Sequence, residues 1–334
     1  MSLSASIDVG SNTLRLLIGR IEENRILDIF SDRKITRLGS TVDRTGRLRD
    51  ENIEFSIAAL KEFSAAIAKF GVRSVKAVAT SALREASDSD AFIRRVFDAT
   101  GIAIEVITGE KEAELTLKGI LLSFPEAECQ EPHLPASFPR RGQERSRTAS
   151  LFIVDIGGGS TEWISCGNSG TDMGSIPIGV IKLARTFEKR EPVAQDDLKE
   201  LDAALSPAIE SLTRRSRRLL NGRTQFIGTA GTFATIASID LGLDVYSREK
   251  IHLHRISLAG LRDMRARILG LSPEDRRKLK GLEPQRADLI IPGIHFTIEL
   301  MESLEFDELT ISDYGLLEGA LLEIEKSISE TCEP

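Results

Sequence analysis

A chain of 334 residues, 41% hydrophobic and 28% charged, has the make-up of a globular protein with two ordinary domains. Its formal charge of −7 excludes bulk attraction to nucleic acid or to an anionic membrane, so any anion site must be local. Cys129, Cys166 and Cys332 are odd in number and form no CxxC pair, which argues against a disulfide framework and reads as a reduced, cytoplasmic chain.

Residues 4–35 read as three strands in quick succession, ASIDVG, LRLLIGRI and RILDIFSDRKI. Ile53, Ile57, Leu60 and Ile67 mark the buried stripe of a helix that ends near Gly71. VRSVKAVAT is a strand, SDAFIRRVFDAT a helix, IAIEVIT a strand and GEKEAELTLKGILL a helix, giving the order β-β-β-α-β-α-β-α. A proline-bearing stretch at 123–149 reads as a flexible linker, its terminal arginines as a solvated tail. The order then repeats. LFIVDIG, TEWISCG and the segment to SIPIG are strands, and Leu198, Leu201, Leu205, Ile209 and Leu212 make a long amphipathic helix. RTQFIGTA is a strand, GTFATIASI opens a helix, 241–306 is an irregular, mostly helical insertion, DELTISD is a late strand and 315–332 a closing helix. The domains fall at 1–122 and 150–314, with the closing helix packing back on the first. No N-terminal signal pattern is visible, and LIIPGIHFTIELM is too short to span a bilayer.

Asp8-Val9-Gly10-Ser11-Asn12-Thr13 and Asp155-Ile156-Gly157-Gly158-Gly159-Ser160 are two versions of one loop. Each follows an apolar strand and precedes another. Glycine permits close backbone approach, and Ser11, Asn12, Thr13, Ser160 and Thr161 add hydrogen-bond donors. Two such loops facing across a cleft would grip a polyphosphate from both sides, with Asp8 and Asp155 placed to hold Mg²⁺. FIGTAGTFATIASI puts Gly228, Gly231 and Thr232 between a strand and a helix start, where free N–H groups can meet an anion. RRSRR at 214–218 reads as a solvated face, and the four histidines show no pair at zinc-ligand spacing.

The duplicated order with paired phosphate loops resembles the actin, Hsp70 and sugar-kinase superfamily: an α/β fold of two actin-like (ribonuclease H-like) domains with an interdomain cleft. Within it, IDVGSNTLRLLI, AVATSALREASD, VITGEKEAEL, VDIGGGSTE, IPIGVIKL, GTAGTFATIA, EPQRADLIIPG and SDYGLLEG run in the order of the exopolyphosphatase/guanosine pentaphosphate phosphatase (Ppx/GppA) family, from residue 7 to 319. The chain resembles the short form, without the C-terminal helical domains of longer members.

The resemblance maps a catalytic glutamate onto Glu112, in the first turn of a helix whose dipole favours its ionised form. It assigns Glu162 to positioning water or metal. Phosphate also calls for fixed cations, and Arg15, Arg84 and Arg286 lie inside matching motifs. The implied activity is Mg²⁺-dependent release of terminal orthophosphate from inorganic polyphosphate or from guanosine polyphosphate nucleotides. A nucleotide-binding sensor with little turnover, and an NTPase or kinase of the same superfamily, are the alternatives. Neither nucleic acid nor membrane is expected as a partner, and a homodimer stays open.

Overall fold

The computed structural model describes residues 3–22, 25–127, 129, 150–167, 169–185, 193 and 195–331. Most of the stretch expected to be a linker lies outside them. The first half runs β1 (Ser4–Val9), β2 (Thr13–Glu22), β3 (Arg25–Ile35), α1 (Val42–Thr45), α2 (Asp50–Lys69), β4 (Ser74–Ala79), α3 (Ser81–Glu85), α4 (Ser89–Thr100), β5 (Ile104–Val106) and α5 (Gly109–Leu121). The second runs β6 (Leu151–Ile156), β7 (Thr161–Gly167), β8 (Gly170–Ile176), α6 (Val180–Ala184), α7 (Gln195–Ser216), β9 (Gln225–Thr229) and α8 (Ala230–Asp240). It continues through α9 (Arg248–Ile251), β10 (His254–Ser257), α10 (Leu258–Leu269), α11 (Pro273–Arg277), a 3₁₀ turn (Pro284–Arg286), α12 (Ile290–Ser303), β11 (Glu308–Ser312) and α13 (Leu316–Thr331).

Each half is built on a mixed sheet, ordered β3-β2-β1-β4-β5 and β10-β11-β9-β6-β7-β8. β1 and β6 are the central strands of the duplication: each pairs antiparallel with the next strand and parallel with a later one. Both are buried throughout: β6 is apolar except for Asp155, whereas β1 alternates Ser4, Ser6 and Asp8 with Ala5, Ile7 and Val9, all of them buried. β10 corrects the reading of 241–306, because the insertion contributes an edge strand, antiparallel to β11. Four residues with one buried side chain, Ile256, carry no readable alternation, and the strand is recruited by pairing with β11 and by that single core contact.

Two helices join the halves. α5 leaves the first sheet, yet Ala113, Leu117 and Ile120 pack among Ile153, Ile164 and Ile227 of the second. α13 leaves the second sheet and buries Leu317 and Leu321 with Leu17 and Ile26 of the first. The two helices cross where Gly119 and Gly319 stand, and a Cβ on either would overlap the carbonyl of Gly315 or Leu115. Small residues at the crossing therefore set how closely the helix that carries Glu112 approaches its neighbour.

The structure also corrects the reading of the cysteines. Cys129, just beyond α5, is disulfide-bonded to Cys166 on β7, with Cα atoms 4.9 Å apart. The fold carries the segment after α5 across the second sheet, a proximity that sequence spacing does not reveal. The cysteines thus give no argument for a reducing compartment. Among the described residues, no helix is long and apolar enough to cross a membrane.

Candidate active site

The two Asp-led loops close identically. Gly10 N–H donates to Thr13 O in the first and Gly157 N–H to Ser160 O in the second, at 3.2 and 3.0 Å. They meet face to face: Ser11 Cβ lies 3.1 Å from where a Cβ on Gly158 would stand, so only a bare backbone fits there. The cleft between them is lined by Asp8, Ser11, Asn12, Thr13 and Arg15 from one side. Asp155, Gly157, Gly158, Gly159 and Ser160 line the other, with Glu112, Gly231, Thr232 and Arg286 completing the wall.

The second loop is braced from behind, with Val180 and Ile181 N–H donating to Gly157 and Gly158 O at 3.0 and 2.9 Å. Thr161 and Thr232 spend their hydroxyls on Ile178 O and Ile156 O, at 2.6 and 2.7 Å. Thr161 is thereby a brace and not a lining residue. Gly228 is likewise away from the cleft, closed off by the Phe233 ring. Ala230, at the start of α8, holds φ at +67°, a left-handed conformation that costs an alanine energy and is characteristic of functional turns.

Four carboxyl groups converge here, all nearly buried: Asp8, Glu112, Asp155 and Glu162. Burial pushes Glu112 well above the usual carboxylate range and the charge of Glu162 adds to it, while Arg84 opposes. Burial therefore outweighs the helix dipole that the sequence suggested would keep Glu112 ionised. Asp155 is held well above its usual range by burial and then by Glu162, and burial raises Glu162 against the hydrogen bond it accepts from Ser175. Ser175 Oγ donates to Glu162 Oε1 at 2.6 Å. Glu162 Oε2 and Asp8 Oδ1 are buried with no hydrogen-bond partner. Carboxylate oxygens in that state suit a hard, oxygen-seeking cation such as Mg²⁺.

The arginines have distinct postings. Arg15 gives Nε and Nη2 to Asp8 Oδ2, at 3.0 and 2.8 Å. Burial alone would lower its pKa, but Asp8 and Asp155 overcome that and raise it. Arg84 donates to Glu112 Oε2 at 2.7 Å and to Ser160 Oγ at 3.3 Å, and stands 3.7 Å from Glu162. It joins the two acidic side chains to the second loop from a position beside the cleft. Arg286 donates to Thr13 Oγ1 at 2.9 Å and to Glu283 at 3.1 Å.

Sequence reasoning missed Ser175, which sits directly opposite Glu162 in the β7–β8 ladder, and Ser81, which lines the cleft from α3. Ser81 lay inside the quoted motif ATSALREA, so its signal was available. Ser175 had none, because strand register alone sets it. A further group, Asp202, His295 and Glu299, brings carboxylates and an imidazole together. Its ring is already engaged: Nδ1 accepts from Arg265 at 2.7 Å and Nε2 donates to Asp202 at 2.7 Å. No lone pair is left for a metal.

Comparison with known proteins agrees with this geometry. Residues 17–130 and 142–328 match the Ppx/GppA phosphatase family. A bifunctional 3-dehydroquinate synthase/phosphatase of Fusobacterium nucleatum is 31% identical over 96% of this chain, which spans only 46% of that protein. Exopolyphosphatase 2 of Mycobacterium tuberculosis is 30% identical over 96% of this chain and 98% of its own length. A crystal structure of the Aquifex aeolicus Ppx/GppA family member superposes with a TM-score of 0.75 at 29% identity, covering 99% of both chains. An exopolyphosphatase from Cytophaga hutchinsonii gives 0.82 at 25% identity, over 97% of this chain and 98% of the other. Two actin-like sheets, a clamp of paired loops and a match over most of the sequence lead to one assignment: the chain belongs to the Ppx/GppA phosphatase family.

Proposed function

We propose that the protein is a divalent-cation-dependent phosphoanhydride hydrolase that releases terminal orthophosphate from inorganic polyphosphate, from guanosine pentaphosphate, or from both. The observation that carries this reading is that Glu112, Asp155 and Asp8 line a cleft walled by two glycine-rich loops, with Glu162 fully buried behind it and within reach of Arg84.

The backbone N–H groups and hydroxyls of the two loops bind the non-bridging oxygens of the terminal phosphoryl group. Arg84 fixes Glu112 through Oε2 and leaves Oε1 for the attacking water. A carboxylate whose pKa is raised by burial is a stronger base than an exposed one, and a positioned base contributes about 10²–10⁴-fold. As water oxygen bonds to phosphorus, its proton passes to Glu112, the bridging P–O bond breaks, and the shortened chain leaves with the negative charge. Asp8 Oδ1 and Asp155 would hold Mg²⁺, which supplies charge neutralisation at the transferred group. Arg286 and the N-terminus of α8 stabilise the phosphates behind it.

The test is orthophosphate release, with Mg²⁺, from long polyphosphate, tripolyphosphate, pppGpp and GTP side by side. Glu112→Gln should lower turnover by about 10²–10⁴-fold. Undiminished turnover in that variant would remove Glu112 from the mechanism. Binding of pppGpp without any release would turn the clamp into a sensor.

A further inference from the structure

One carboxylate at the rim of the cleft is shared between two arginines. Glu283 accepts from Arg286 Nε at Oε2, 3.1 Å, and meets Arg33 Nη2 at Oε1, 3.0 Å. Arg33 comes from β3 of the first half, while Glu283 caps and Arg286 closes the 3₁₀ turn of the second. The three side chains stand where three cavities adjoin. Arg286 lines the phosphate cleft, whereas Arg33 and Glu283 line both neighbouring cavities, one of which also contains Lys34.

The partners differ in freedom. The Arg286 side chain is 8% exposed and is pinned to Thr13, but Glu283 is 34% exposed and Arg33 32%. Burial holds Arg286 below its usual range and the charge of Arg33 acts the same way, with Glu283 opposing both. Two cations that disfavour each other are thus kept together by an anion that can turn out to water. Guanidinium forks take phosphoryl oxygens in the same manner as carboxylate oxygens.

We propose that Arg286 and Arg33 form a second anion subsite, for a non-terminal phosphoryl group of a linear phosphate chain, and that the Glu283 carboxylate is its displaceable occupant. The inference rests on the hydrolase reading in one respect: the terminal phosphate of the chain lies in the cleft. A chain that ends inside the cleft leaves Glu283 between the arginines. A longer chain crosses to Arg33 and must displace it, so this residue tunes preference for chain length.

The experiment compares tripolyphosphate with long-chain polyphosphate in the parent protein, Glu283→Gln and Arg33→Ala. The readout is the ratio of KM for the short chain to KM for the long one. Removing the competing charge should raise that ratio about two- to fivefold, the value of a partly exposed ion pair, and Arg33→Ala should lower it by a similar factor. Equal shifts in both KM values, or none, would overturn the subsite. If the parent protein releases no phosphate from either chain, the hydrolase reading fails. The same ratio, taken from calorimetric dissociation constants for the two chains, then decides the subsite separately. Melting temperatures of both variants, compared with the parent, identify any loss that comes from misfolding.

Discussion

The first and second hairpins place their key residues in the same slots and fill them with opposite charge. In β1–β2, Asp8 sits opposite Arg15; in β6–β7, Asp155 sits opposite Glu162. The first pair is a fork of two hydrogen bonds that neutralises a buried carboxylate. The second sets two carboxyl groups side by side, with burial lifting both out of their usual range and the charge of Glu162 adding to the rise at Asp155. Duplication supplied two identical loop closures, and one cross-strand position separated an anchored half from a reactive one.

The largest effect expected from breaking this contrast is on turnover. Glu162→Gln keeps the shape of the second hairpin but removes its second charge, and should lower phosphate release by about 10²–10³-fold. Near-parent kcat in that variant would make Glu162 a structural acid only. The matching change in the first hairpin, Arg15→Met, should act on stability instead. It leaves Asp8 buried without its cation, and urea unfolding should register a loss of about 2–3 kcal/mol, below the full value of a buried pair because Arg15 is about a quarter exposed. Glu162→Gln should cost little stability or gain some, so the same slot would weigh on stability in the first hairpin and not in the second.

A smaller effect is expected from pH. The second hairpin and Glu112 carry raised carboxyl pKa values, so the folded protein binds more protons than the unfolded chain above the ordinary carboxylate range. Their contribution is fully present below that range and is lost as pH rises through the folded values. In chelator-treated protein, stability should fall with rising pH by on the order of 1 kcal/mol per unit per extra proton, and Glu162→Gln should flatten the slope. A rise of stability over the same window would contradict the assignment.

The smallest effect concerns the strand-to-helix turns that follow the two hairpins. In the first half, Thr80 and Ser81 enter α3 with no left-handed residue, whereas Ala230 enters α8 at φ +67°. Ala230→Gly should raise unfolding stability by up to about 1 kcal/mol, less whatever the added backbone freedom takes back. A loss of stability would show that the turn needs the methyl group.

Much of this was legible in the sequence because it is written in local pattern. Apolar strands, the Asp-Gly loops, helix stripes and the order of motifs arise from residues that are neighbours along the chain. They specified two actin-like sheets, the family, and most of the residues that line the cleft. Gly228 and Thr161 were misjudged for the same reason: glycine and threonine in a loop look alike whether they face a ligand or brace a wall. In the structure Gly228 abuts Phe233 and Thr161 bonds a backbone carbonyl.

Tertiary structure alone decided what depends on proximity without sequence periodicity. It laid α5 against the second half, joined Cys129 to Cys166, and drew β10 into the second sheet. It also decided the charge state of the acids. A helix N-terminus favours ionised Glu112 by a modest local dipole term, but desolvation and the nearby Glu162 act more strongly once the chain has folded around them. Local sequence fixes which groups are available, and long-range packing fixes the dielectric and the neighbours that determine how they behave.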